Sequence, residues 1–314
     1  MRMTPDPGLA VELEVLHDTH YRYATAVSLA HHLAHLQPLD DEHQRLLSFS
    51  LQVDPAPDQQ RESRDVFGNV QHHFSLVQQH ETLDVRAASR VRLLDRYAAL
   101  EPASSPPWDS LAESLRYVAR TPADPAVAFA LPSPYVPRLE ELRAWGRPSF
   151  ASGRPVAEAA FELMGRIHSD FKYSSDSTEI DTPLAQAFAQ RSGVCQDFAH
   201  LMAGVMRMMG LPVRYVSGYL LTQPAGGGPA LVGADASHAW VQVWCPGTRG
   251  LPADGWLDLD PTNNVVPDTG HVRVAVGRDF GDVTPLRGVI RGGGKHTLAV
   301  GVTTRKVGPV VATV

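Results

Sequence analysis

Among the 314 residues, the side chain with the most obvious chemistry is Cys195, which opens Cys195-Gln196-Asp197-Phe198-Ala199-His200 where a loop turns into an apolar helix. Arg191-Ser192-Gly193 reads as a turn with a Ser or Gly cap. Val194, Phe198, Leu201, Met202, Val205, Met206 and Met209 then recur at helical spacing until Gly210-Leu211-Pro212 stops the run. The first N–H groups of a helix lack intrahelical partners and the dipole there is positive, so the position favours a thiolate and can hold an oxyanion. A buried structural cysteine is the plain alternative for a thiol taken alone.

A thiol nucleophile also needs a base, and the base needs an orienting group. Ser237-His238-Ala239-Trp240-Val241-Gln242-Val243-Trp244 alternates like a strand with His238 at its start, behind a glycine-rich stretch, Gly226-Gly227-Gly228, that suggests a cleft mouth. Gly255-Trp256-Leu257-Asp258-Leu259-Asp260-Pro261-Thr262 reads as a shorter strand carrying Asp260 at its tip, although Asp-Pro is a turn signal in its own right. If the two strands are neighbours packed on the Cys195 helix, one imidazole can meet both the sulfur and the Asp260 carboxylate.

The four motifs, Gly193-Val194-Cys195-Gln196-Asp197-Phe198-Ala199-His200, Gly210-Leu211-Pro212-Val213-Arg214-Tyr215, His238-Ala239-Trp240 and Gly255-Trp256 with Asp260-Pro261-Thr262, occur in an order that resembles the bacterial transglutaminase-like superfamily. His17-Asp18-Thr19-His20-Tyr21, Leu51 to Pro57 and Asp65-Val66-Phe67-Gly68-Asn69 resemble the β-rich N-terminal region that accompanies this group. The resemblance implies an α+β fold: a papain-like transglutaminase core preceded by a sandwich-like β domain. It also implies Cys195 as nucleophile, His238 as base and Asp260 as orienter, with Asp258 the weaker candidate for that third role. Because the Phe171-Lys172-Tyr173 strand precedes the nucleophile in the family's arrangement, Tyr173 becomes a candidate oxyanion donor.

Composition narrows the rest. With 43% hydrophobic residues the chain can bury two ordinary cores. The formal charge of -6, with no run of Lys and Arg, argues against a nucleic-acid surface. No stretch has the length of a signal peptide or membrane span, so a cytoplasmic protein without membrane contact is expected. Two cysteines exclude a disulfide framework, and Cys245, before Pro246-Gly247, reads as structural.

Four regions are expected: a β-rich domain over 1–95, a Pro-rich helical connector over 96–154, the catalytic core over 155–280 and a strand-containing tail over 281–314. Strands are expected at Val11–Leu16, Leu46–Val53, Val70–Val77 and Leu83–Leu94, with a turn at Phe67-Gly68-Asn69. Helices follow at Leu111–Val118, Leu139–Trp145, Pro155–Ile167 and Pro183–Gln190, then core strands at Val213–Leu221, His238–Trp244 and Gly255–Leu259. Thr297–Val302 alternates as a late strand able to close onto a sheet of either domain.

Other candidates read as structural. Asp197 suits a backbone cap or buried ion pair, and His200 a packed core histidine. His31, His32 and His35 suggest a metal site, since His31 and His35 would share a face if helical, yet they lack a nearby acidic or Cys partner at comparable spacing, so no metal is expected. Gly292-Gly293-Gly294-Lys295 lacks the phosphate-loop pattern, and no calcium-loop pattern is present, so no cofactor is expected. The expected function is a cysteine-dependent enzyme that attacks peptide or carboxamide bonds of a peptide or protein substrate through a thioester. Hydrolysis is favoured over amine transfer, and a non-enzymatic peptide-binding module is the rival.

Overall fold

The computed structural model describes residues 10–175, 177–221 and 237–307. The glycine-rich stretch Gly226-Gly227-Gly228 lies outside the described residues. The chain begins with β1 (Val11–Ala34), β2 (Gln44–Asp54), β3 (Gln59–Arg64), β4 (Val70–Leu76) and β5 (His80–Leu93). Helices α1 (Trp108–Ser114), α2 (Glu140–Gly146) and α3 (Val156–Asp170) follow. Next come β6 (Lys172–Tyr173), α4 (Leu184–Gln190), β7 (Ser192–Gly193), α5 (Cys195–Met208) and β8 (Val213–Leu220). The described elements end with β9 (His238–Trp244), β10 (Trp256–Leu259), β11 (His271–Gly277), α6 (Phe280–Val283), β12 (Leu286–Gly292) and β13 (His296–Lys306).

The strand expected over Val11–Leu16 runs on to Ala34, because alternate side chains keep facing inward: Leu13, Val15, His17 and Thr19 are all buried. Two of these four are polar, which hides the alternation from a hydrophobicity reading. β1 is the spine of a seven-stranded sheet in the order β2-β5-β1-β4-β3, with β12 and β13 also pairing to it. Its first half lies between β5 and β13. Its second half, past a register shift between Arg22 and Val27, lies between β4 and β12. The sheet folds over itself so that Phe74 and Leu76 of β4 share a core with Leu83, Val85 and Ala87 of β5. β3, read as Gln-Gln-Arg-Glu-Ser-Arg, has no apolar residue because it is an exposed edge strand, and charge there discourages further pairing.

The second sheet runs antiparallel in the order β10-β9-β8-β11 and packs on α5, whose residues Gln196–Arg207 are all buried. A helix buried on every side has to be surrounded. α2, α3 and α4 cover it from one side and the sheet from the other. The connector wraps this core rather than leaving it, with Leu111, Val136, Leu142 and Phe150 all buried. α1 begins three residues before the expected Leu111, directly after Pro107. The late strand resolves its ambiguity in favour of the N-terminal sheet, with β13 antiparallel to β1 from Leu13↔Lys306 to Tyr23↔His296.

Burial pushes the imidazole pKa down to about 4 for His17 and His32 and to about 3 for His200, all from 6.5. As pH falls through the window between about 6.5 and 4, the unfolded chain takes up protons that these folded rings refuse, so stability falls with pH. His238, described below, is shifted the other way and offsets part of the loss. The expected result is a melting temperature roughly 5–10 °C lower at pH 5 than at pH 7.5. Scanning calorimetry across that range checks it, and a flat profile would show that these rings titrate normally.

Candidate active site

The head of α5 is fixed by what precedes it. β6 and β7 form a two-residue parallel pair, Lys172↔Ser192 and Tyr173↔Gly193, which aims the chain into the helix. The expected Ser or Gly cap is replaced by Asp197, whose Oδ2 accepts from Val194 N at 2.8 Å and from Thr178 Oγ1 at 2.7 Å. Its cap role is therefore the backbone one, with no ion pair among the described residues. Any Cβ at Gly193 would collide with this carboxylate, so glycine is required for the close approach. Cys195 is left as the first helical residue, partly exposed to a cleft.

His238 begins β9, opposite Gly218 of β8, with its ring fully enclosed. Its Nε2 donates to Asp260 Oδ2 at 2.9 Å. Among the described residues Nδ1 has no partner within ordinary hydrogen-bond geometry, while the Cys195 thiol interacts with the same ring. Burial by itself would lower the pKa of this imidazole. The charge of Asp260, then that of Cys195, outweighs burial and raises it to about 10. Trp240 stacks over His238 with ring centroids 6.1 Å apart, and the indole fits because Gly218 has no side chain to meet it.

Asp260 reconciles its two sequence readings. Oδ1 caps the Asp-Pro turn, accepting from Thr262 N at 2.9 Å and Asn263 N at 3.2 Å. Oδ2 accepts from His238, from Asn263 Nδ2 at 2.8 Å and from His271 Nε2 at 3.3 Å. Burial opposes its charge, but the His238 ion pair and these donors hold the carboxyl far below the usual carboxylate range. Asp258 is engaged elsewhere: Trp240 Nε1 donates to its Oδ1 at 2.9 Å and Tyr97 OH to its Oδ2 at 2.6 Å. Its place is behind the indole rather than behind the imidazole.

The structure thus brings Cys195 and Asp260 to the same His238 ring, and Tyr173 lines the cleft that Cys195 and His238 share. His200 stays out of it, packed at 4.9 Å on the Tyr215 ring and accepting from Phe280 N at 3.2 Å. His31 and His35 sit on and just beyond a strand rather than a helix, with His31 exposed and His35 buried against Thr284 O. Among the described residues no group of three or more His, Cys, Asp or Glu is disposed to hold a metal ion. Among those same residues no helix is long and apolar enough to cross a membrane.

The residue that sequence reasoning missed is His271, the second imidazole on Asp260. The alternation of His271-Val272-Arg273-Val274-Ala275-Val276 was available as a strand signal and would have placed it. The two cysteines differ sharply. Cys195 opens to a cleft, whereas Cys245 is completely buried and burial pushes its thiol far above the ordinary range. Iodoacetamide should therefore modify Cys195 at least about 100-fold faster than Cys245 in the native protein. Peptide mapping of a time course reads this directly, and comparable rates would show that the cleft is closed to the reagent.

Comparison with known proteins adds the lineage. The family pattern described as "Bacterial transglutaminase-like N-terminal region" matches residues 13–92, and that of the "Transglutaminase-like superfamily" matches residues 143–261. An uncharacterized protein of Mycobacterium tuberculosis is 37% identical over 297 residues, 92% of this chain and 92% of its own. A protein-glutamine gamma-glutamyltransferase of Pseudomonas aeruginosa is 37% identical over 122 residues, 38% of this chain but only 17% of that protein. Among solved structures, a candidate cysteine protease from Cytophaga hutchinsonii superposes with a TM-score of 0.74 at 21% identity, covering 96% of this chain and 92% of the other, and so shares the fold. Two motif-bearing regions in the right order and a relative matched almost end to end make this chain a member of the transglutaminase-like superfamily, in the bacterial group that carries the dedicated N-terminal region.

Proposed function

We propose that the protein is a cysteine hydrolase that cleaves a peptide or carboxamide bond through a thioester, with Cys195 as nucleophile, His238 as acid and base, and Asp260 as orienter. The observation that carries this reading is the enclosed His238–Asp260 pair, 2.9 Å long, set against a thiol at a helix head. Asp260 favours the charged ring, so His238 can take the thiol proton as the sulfur becomes the nucleophile. The sulfur attacks the carbonyl carbon, and the oxyanion forms beside the Cys195 N–H at the unpaired helix start. His238 gives its proton to the leaving nitrogen as the C–N bond breaks, and an amine or ammonia departs. Neutral His238 then takes a proton from water as its oxygen attacks the thioester. Collapse expels the thiolate, releases the acid and restores the imidazolium.

Hydrolysis is favoured because water needs no seat of its own, whereas an amine acceptor has to be bound opposite the thioester. The Pseudomonas relative is named for transfer, so the test includes both outcomes. Purified protein is incubated with a peptide library, with and without added amines, and product masses are read. Cleavage or deamidation supports hydrolysis, amine adducts shift the reading to transfer, and the absence of any acyl-enzyme or product supports the binding-module rival. Expression in the cytoplasm belongs to the same proposal, and cell fractionation tests it.

Tyr173 enters as the side-chain donor to the oxyanion, from its place on β6 in the cleft wall. Tyr173→Phe is expected to lower kcat at nearly constant KM, by roughly 100- to 1,000-fold for one lost donor. Unchanged kcat would leave the backbone N–H groups as the oxyanion site.

A further inference from the structure

The cleft over Cys195 has a volume of about 370 Å³, within the range of roughly 300–1,000 Å³ typical of ligand sites. Part of the lining belongs to the core and carries the thiol. Another part belongs to the N-terminal sheet: Thr19 and Tyr21 of β1, paired in register with Val300 and Leu298 of β13, with His17 next along the strand. Alternate residues of a strand share a face, and along β13 this face runs out of the core. Thr304 and Val302 are 0% and 5% exposed, then Val300 and Leu298 emerge at 43% and 47%. Two large apolar side chains are thus left uncovered where the sheet meets the thiol.

Beyond the Cys195–His238 pair the lining is also uncharged. Among the described residues that line the cleft there is no Asp, Glu, Lys or Arg. His17 is held neutral by burial and engaged by Tyr219 OH at 3.0 Å and Thr19 Oγ1 at 3.1 Å. A charged substrate side chain entering beside Leu298 and Val300 would lose water and meet no counter-ion on that side, whereas an apolar one would cover Leu298, Val300 and Phe280.

Building on the reading of Cys195 as nucleophile, we infer that the substrate is an extended peptide whose residue beside the reacting carboxamide is large and apolar, and that Leu298 and Val300 of the N-terminal sheet select it. The β-rich region is then part of the active site, supplying specificity to chemistry housed in the core.

The experiment has two arms. In the first, kcat/KM is measured for peptides that differ only at the positions flanking the scissile bond, with Phe or Leu expected to exceed Asp or Lys by about 100-fold. In the second, the Cys195→Ala protein is titrated with the same peptides, so that binding preference is read without turnover. Leu298→Lys and Val300→Lys, checked for folding by circular dichroism, are expected to raise the Asp peptide relative to the Leu peptide at least tenfold in both arms. Equal handling of charged and apolar peptides overturns the inference, as does a lysine variant whose preference is unchanged. Selective binding by Cys195→Ala without turnover by the wild type supports the inference and removes the hydrolase reading instead.

Discussion

Cys195→Ala is expected to lower turnover by at least about 10⁴-fold while leaving the melting temperature within a few degrees, because in the proposed mechanism the side chain makes the reacting bond, and it contributes little to the core. It is partly exposed, at the mouth of a helix whose packing rests on Phe198, Leu201, Met202 and Val205 instead. His238→Ala should cost nearly as much, and the double variant hardly more, since groups acting on one transition state are not additive. The comparison residue is Cys245, also a thiol yet sealed in the core. Cys245→Ala is expected to retain activity and lose some stability instead. Kinetics with circular dichroism on the four proteins decide the matter. A Cys195→Ala enzyme that still turns over would pass the chemistry to another group.

Much of this site was legible because it lies on short elements with clean periodicity. The strand expected from His238 to Trp244 has the bounds observed, since its alternation is unbroken and both ends carry punctuation. The α5 helix was readable from its apolar spacing and from Gly210-Leu211-Pro212. The choice between Asp258 and Asp260 was less open to sequence, because residues two apart on a strand face the same way. What separates them is Tyr97, more than 150 residues earlier in the chain, whose hydroxyl occupies Asp258.

The parts that stayed hidden depend on distant pairing. Nothing local in Leu286–Gly292 or His296–Lys306 says that both strands join β1, nearly the length of the chain away. Thr297–Val302 could be read as a strand but not given a partner, and Leu286–Gly292 was passed over. The continuation of β1 past Leu16 was hidden by the buried polar residues His17 and Thr19, and β3 by having no apolar residue at all. His271 lies past the Asp260-Pro261 motif, on a strand whose long-range pairing alone brings its imidazole to the carboxylate.

Asp260→Asn is expected to reduce kcat/KM by roughly 10²- to 10⁴-fold and to alter its pH profile in a direction fixed by the site. Asp260 is the leading cause that raises His238 to about 10, against burial. With the carboxylate gone, burial dominates, the imidazole loses its proton at lower pH, and the alkaline limb moves from near 10 toward neutrality. The amide also fits the pocket poorly. Both carboxylate oxygens accept hydrogen bonds, Oδ1 from two backbone N–H groups and Oδ2 from His238, Asn263 and His271. An asparagine offers a single oxygen, so its NH₂ must face donors on one side or the other. That mismatch costs about 1–3 kcal/mol for each buried group left unpaired, so a lower melting temperature should accompany the kinetic loss. Asp258→Asn is the matched control: it disturbs Trp240 and Tyr97 but leaves the His238 partner in place, and its alkaline limb should stay near 10. Activity retained in Asp260→Asn and lost in Asp258→Asn, with the limb moving in the second variant, would reassign the orienting carboxylate to Asp258.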